Sequence, residues 1–129
     1  MKQQLVEITE HTGTGYLPLV DFEGWRVAIL NDDPACFRRD KTTFLERHRQ
    51  TDEVFVLLEG ECTLCIGDGK EDLGTITPLV MEPRKLYNVK KGVWHNLIGN
   101  EKMALLIVEN ADTGKANSDY HPVSVDMLP

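Results

Sequence analysis

No apolar run in the 129-residue chain approaches the ~20 residues a membrane helix needs. The first residues, MKQQLVEITEHTG, lack the apolar stretch of a signal peptide. Both absences lead us to expect a cytoplasmic protein with no membrane partner. Basic residues are also in deficit, with 14 Lys and Arg against 21 Asp and Glu, and the net charge of −7 argues against general nucleic-acid binding. Cysteines are few and odd in number, three in all, so no disulfide framework is indicated. Cys62 and Cys65 do form a CxxC, in GECTLCIGDG. On a strand, however, residues three apart face opposite ways with Cα atoms roughly 10 Å apart, beyond the ~7 Å limit of a disulfide. No second CxxC exists to complete a zinc knuckle, so both read as small packing residues. Repeats, low-complexity tracts and amphipathic helices longer than about two turns are missing as well.

Short strands are abundant. Residues 25–31 (WRVAILN) and 42–48 (TTFLERH) alternate in character, and 54–60 (VFVLLEG) is apolar on both faces. Residues 62–66 follow and lead into a Gly-Asp-Gly hairpin signal. Residues 77–83, 86–89, 94–98 and 104–110 complete the series, with Gly60, Gly74, Pro83, Gly92 and Gly99 as punctuation. Residues 31–41 read as a loop with one helical turn after Pro34, and the polar tail 111–129 as irregular. This spacing predicts one all-β domain over 1–129, a sandwich or barrel. The two apolar faces of 54–60 predict a homodimer in which sheets pack together, or in which a strand around Leu5–Ile8 crosses over.

The chemistry concentrates in ERHRQTDEVFVLLEG, residues 46–60. Glu46 and His48 share one strand face, with Cα atoms ~6.5–7 Å apart, which lets a carboxylate and an imidazole converge on one ion. RQTD then turns the chain, so Glu53 is expected on a strand beside the first. His95 follows the Gly92 turn at the start of another strand. Two imidazoles and up to two carboxylates suit a divalent zinc, manganese, iron, cobalt or nickel ion. Read singly, His48 is a strand residue bonded to a neighbour, Glu46 one side of an ion pair with Arg38, Arg39 or Arg47, and His95 a satisfied core imidazole.

Read together, these residues resemble the cupin superfamily. Its first motif runs roughly His-x-His, three or four residues, Glu, six residues, Gly. Here Glu46-x-His48, four residues, Glu53, six residues and Gly60 follow it, with glutamate in place of the first histidine. Its second motif is matched at its centre by Gly92, Val93, Trp94 and His95; Lys90 stands for the usual proline, and Gly99 for the asparagine, with Asn100 one residue late. The motifs span about 44–60 and 86–100. The resemblance implies a double-stranded β-helix, or jelly-roll barrel, with six to eight strands per core. It further implies a metal held by Glu46, His48, Glu53 and His95, and often a homodimer.

The barrel mouth would then be a small-molecule site with Phe44, Phe55 and Trp94 as apolar walls. A carboxylate not bound to metal, Glu46 or Glu53, would serve as catalytic base. The expected activity is that of a metal-dependent enzyme, an isomerase, lyase or dioxygenase, acting on a small polar or carboxylated compound. The alternative is a binding or sensing module for a sugar or metabolite. Arg38, Arg39, Lys41, Arg47 and Arg49 read as a solvated loop and strand face, or else place Arg38 or Arg39 over the mouth to fork a ligand carboxylate. Lys90 and Lys91 read as a solvated pair, and His11 and His121 as loop residues.

Overall fold

In the computed structural model, which describes residues 5–129, two five-stranded antiparallel sheets face one another. The strands are β1 (Gly15–Phe22), β2 (Trp25–Asn31), β3 (Phe44–His48), β4 (Glu53–Glu59), β5 (Cys62–Gly67), β6 (Ile76–Val80), β7 (Tyr87–Val89), β8 (Trp94–Gly99), β9 (Ala104–Asn110) and β10 (Ser118–Pro122). One sheet runs β1-β2-β9-β4-β7 and the other β10-β3-β8-β5-β6. Apart from the hairpins β1–β2 and β5–β6, consecutive strands alternate between the sheets, which is jelly-roll connectivity. No helix among the described residues is long and apolar enough to cross a membrane.

Period-two alternation decides what each sheet buries. On β9, Leu105 and Ile107 point inward; on β4, Phe55 and Leu57 do; on β2, Ala28 and Leu30. They meet Cys62, Leu64 and Leu97 of the opposite sheet in one inter-sheet core. A second, smaller core lies behind the β3–β8–β5 sheet, where Leu45 and Trp94 are covered by Leu73, Val123 and Leu128.

Four expectations are corrected. No strand forms near Leu5–Ile8, where Leu5, Val6 and Ile8 are exposed; the first strand is β1, whose Pro18 and bulge disguise its alternation. The tail is not irregular, because β10 pairs along the whole of β3, from Ser118↔His48 to Pro122↔Phe44. This also puts His121 on a strand, against Trp94. The Gly-Asp-Gly segment is not a tight hairpin: residues 68–75 intervene before β6, closed by Asp68, whose carbonyl accepts from Gly74 N–H. Finally, β4 does not lie beside β3. It belongs to the opposite sheet, and the neighbour of β3 is β8. Among the described residues the strands number ten in all. The turn after Pro34 is present, closed by Phe37 N–H donating to the Asp33 carbonyl.

Candidate metal centre

One end of the space between the sheets is polar. Glu46 pairs with His95 across β3–β8, and β10 places Ser118 beside His48 and Tyr120 beside Glu46. All of these project inward because Leu45 and Trp94, one residue out of phase, fill the outer core. From the facing sheet, Glu53 opens β4 and Glu109 closes the inward series of β9. The polar row is continued on β2 by Arg26, the register partner of Glu109.

The structure brings Glu46, His48, Glu53 and His95 to one spot. Oε1 of Glu53 lies 3.0 Å from Nε2 of His48 and 2.9 Å from Nε2 of His95. Oε1 of Glu46 is 4.0 Å from Nε2 of His48. Ligand atoms of Glu46, His48 and His95 all fall within 4.8 Å of one another, as do those of His48, Glu53 and Glu109. Adjacent donors about 2.1 Å from a shared ion are ~3.0 Å apart, so the Glu53 edges already match a coordination shell. Each ring is also anchored at its far nitrogen. Nδ1 of His95 donates to the Val93 carbonyl at 3.0 Å, and Nδ1 of His48 contacts Oγ of Ser118 at 2.8 Å. In neutral His95 that bond leaves the lone pair on Nε2, the tautomer a metal requires. Nε2 nevertheless faces a carboxylate oxygen, so an additional proton or a cation must sit between them.

The electrostatics agree. Burial would raise the Glu53 carboxyl, but the hydrogen bonds from His48 and His95 hold it well below the usual carboxylate range. Burial likewise opposes charge on His48 and His95, and their bonds to Glu53 override it and raise both. Glu46 is raised, chiefly by burial. Burial, then the charge of Glu53, pushes Glu109 up to about 7.

The turns at this end hold both histidines. Gly92 has a φ of +83°, a conformation glycine adopts without strain, and its N–H donates to the His48 carbonyl at 2.7 Å. Asp52 ties the β3–β4 turn to the β7–β8 turn by accepting from Lys91 N–H and from Asn88, and it pairs with Lys90. Lys90 is therefore paired rather than merely solvated.

A cavity of about 250 Å³ opens beside the cluster, lined by all four of its residues and by Phe55. Three expected wall residues lie elsewhere. Trp94 is on the outward face of β8 under the Arg47 guanidinium, whose Cζ is 4.4 Å from the ring centroid. Phe44 is outside the lining and packs edge-on against Tyr120. Arg38 is held by Asp32 in a two-pronged pair at 2.8 and 2.7 Å, which withdraws it from any ligand. Arg39 instead bonds the carbonyls of Val125, Leu128 and Pro129. His11, as expected, is a loop residue, bonded to the Gly15 carbonyl.

Sequence reasoning missed Tyr16, Arg26, Glu109, Ser118 and Tyr120, which also line the cavity. One signal was present: Glu109 ends the otherwise apolar ALLIVE run at an inward position, and Arg26 shares the parity of Ala28 and Leu30.

No family model and no curated protein matches this sequence. The fold does match solved structures. Pac13 of Streptomyces, described as a unique nucleoside dehydratase and also solved with uridine, is 8% identical, with a TM-score of 0.62 over 90% of this chain and 87% of that one. A cupin-2 domain protein from Shewanella frigidimarina is 16% identical, with a TM-score of 0.52 over 84% of this chain and 90% of that one. The iron(II) form of HppE is 14% identical, with a TM-score of 0.55 over 74% of this chain and 50% of that one. The architecture is the cupin jelly roll, and it carries at its polar end a histidine–glutamate cluster that can hold a metal ion.

Proposed function

We propose that this protein is a metal-dependent enzyme in which His48, His95, Glu53 and Glu46 hold one divalent transition metal beside a small-molecule cavity. The observation that carries this reading is the placement of Glu53 Oε1 between two Nε2 atoms whose rings are fixed from behind by Val93 and Ser118. Second contacts of this kind orient imidazoles that bind metals, which supports the reading. A bound ion would polarise a carbonyl or hydroxyl oxygen of a small compound. The chain's own part is to orient that compound between the two sheets, keep water out with Phe55, Leu97 and Ile107, and present Glu46 or Glu109 to a mobile proton. The glutamate in place of a first histidine favours harder ions such as manganese or iron over zinc. Pac13 and HppE, an enzyme described as a dehydratase and a protein prepared with iron, support this use of the fold by likeness of architecture alone.

Calorimetric titration of chelator-treated protein with zinc, manganese, iron(II), cobalt and nickel salts tests the reading. We expect one ion per chain for at least one metal, with protons released on binding. Glu53→Gln should weaken it at least about tenfold. Failure of all five metals to bind would overturn the proposal, and saturable ligand binding without metal would point instead to a non-catalytic binding module.

A further inference from the structure

The loop between β2 and β3 places Phe37 in the lining of the cavity, away from the metal cluster. Depth can be counted along the strands. Arg26 pairs with Glu109 at the polar end, Ala28 with Ile107 in the next layer, and Leu30 with Leu105 in the layer beyond. Leu30 lines the cavity, and it lies four residues, about 13 Å, along β2 from Arg26. On the facing sheet Gly99 is four residues along β8 from His95, and its N–H donates to the Phe37 carbonyl at 3.0 Å. The cavity therefore runs inward from the histidine–glutamate cluster, past Phe55, Ile107 and Leu97, to Leu30 and Phe37.

This inner reach is apolar. Leu30, Phe55, Leu97 and Ile107 are buried core residues, and Phe37 packs against their cluster. Asn96 also lines the cavity, but its amide is already engaged. Nδ2 donates to the Phe44 carbonyl at 2.8 Å, and Oδ1 accepts from Leu97 N–H at 2.7 Å. A hydroxyl carried to this depth would lose its water and gain no partner. Apolar carbon placed there gains about fourfold in affinity for each methylene removed from water. A cavity of ~150 Å³ with such a lining stays dry and holds benzene, so the cavity of about 250 Å³ admits one ring with a substituent.

The loop that carries Phe37 is fixed at both ends. Arg38 pairs with Asp32 and donates through Nη1 to the carbonyls of Phe37 and Gly99, at 3.0 and 3.2 Å. Asp32 N–H in turn donates to the Met103 carbonyl at 2.9 Å, just before β9. Asp32 and Arg38 are thus positioning residues that act through Phe37, which gives a role to an arginine outside the cavity lining.

We propose that the cavity takes a compound with a compact apolar body, the size of one substituted ring, and an oxygen at one end only, and that Phe37 sets the length of body admitted. This narrows the polar or carboxylated compound expected from the sequence to one that is polar at a single end. It rests on the metal-site reading only for which end of the ligand meets the histidines.

Matched probes test it: cyclohexanol against myo-inositol, phenol against phloroglucinol, and 4-butylphenol against phenol. Binding to the full chain with manganese present is followed by calorimetry. Cyclohexanol and phenol should each bind at least about tenfold more tightly than their polyhydroxylated counterparts. Phe37→Ala should raise the affinity for 4-butylphenol relative to phenol at least about tenfold over the wild-type ratio. Phe37→Leu should move that ratio the same way, and it carries the test if the alanine variant does not fold. A new length preference at unaltered metal content is not what a merely structural role for Phe37 would produce. Three outcomes overturn the proposal: polyhydroxylated members binding as tightly in both pairs, no ring compound binding at all, or a wild-type length ratio retained by the folded variants. Metal content measured on the same samples judges the histidine cluster separately, because the ratios read the far wall whether or not an ion is held.

Discussion

A single hydrogen bond at His95 illustrates how the site is built. Its Nδ1–H is committed to the Val93 carbonyl, so Nε2 is aimed at Glu53 with its chemistry fixed. Ser118 Oγ holds the His48 ring at Nδ1, where a hydroxyl that can donate or accept fixes the ring's orientation rather than its tautomer. Ser118→Ala should therefore weaken metal binding about tenfold, measured by competition with a chelating dye, with little change in melting temperature. Unchanged affinity would show that His48 needs no such support. At this scale the sequence was partly legible. Glu46 and His48 declare themselves by their i, i+2 spacing, and Glu53 and His95 by motif. Ser118 does not, because it belongs to the site only through its long-range pairing to β3, and Glu109 shows only as the charged end of an apolar run.

At the level of elements, β8 does two jobs. Its inward face carries His95 and Leu97, and its outward face carries Trp94 into the small second core with Leu45 and Leu128. Reading Trp94 as a cavity wall failed because an aromatic beside a ligand histidine has the opposite parity on a strand. The tail was read as irregular for a related reason. SDYHP has little alternation, and its pairing comes from β3, while the apolar residues that seal Trp94, Val123 and Leu128, lie beyond the strand. Leu45→Ala should destabilise the protein by about 3 kcal/mol, since the side chain is completely buried. Metal stoichiometry should persist in the folded variant, because Leu45 faces away from the cluster. Loss of less than about 1 kcal/mol in denaturant unfolding would mean that the outer core is dispensable.

The whole molecule has an uncovered face. Across the outer side of the β1-β2-β9-β4 sheet, register pairing aligns Leu17, Ile29, Leu106 and Val56 in one row and Val20, Val27, Val108 and Val54 in the next. Phe22 and Trp25 extend it. We propose that a second copy packs on this face, as the two apolar sides of VFVLLEG led us to expect; like faces can pair about a two-fold axis. Light scattering should give twice the 14.6 kDa chain mass, and Leu106→Lys should halve it. A wild-type mass of 14.6 kDa would contradict the dimer.

Stability should also depend on pH in a defined direction. His48 and His95 are raised above 6.5, so the stability they contribute is present below that value and fades as pH rises through their folded values. Glu46 and Glu109, raised above 4.5, lose stability in the same direction. Glu53 is lowered, and its contribution is present above 4.5 and lost in stronger acid. The metal-free melting temperature should peak between 4.5 and 6.5 and decline toward alkaline pH, with added metal reversing the decline. A metal-free melting temperature that climbs into the alkaline range would contradict this.

The most direct measurement is an anomalous-scattering map of crystals grown with the best-binding metal. A single peak about 2.0–2.3 Å from Nε2 of both His48 and His95, with a Glu53 oxygen in the same shell, is the expected result. A peak elsewhere, or Glu53 still bridging the two imidazoles with no peak between them at saturating metal, would contradict the metal centre.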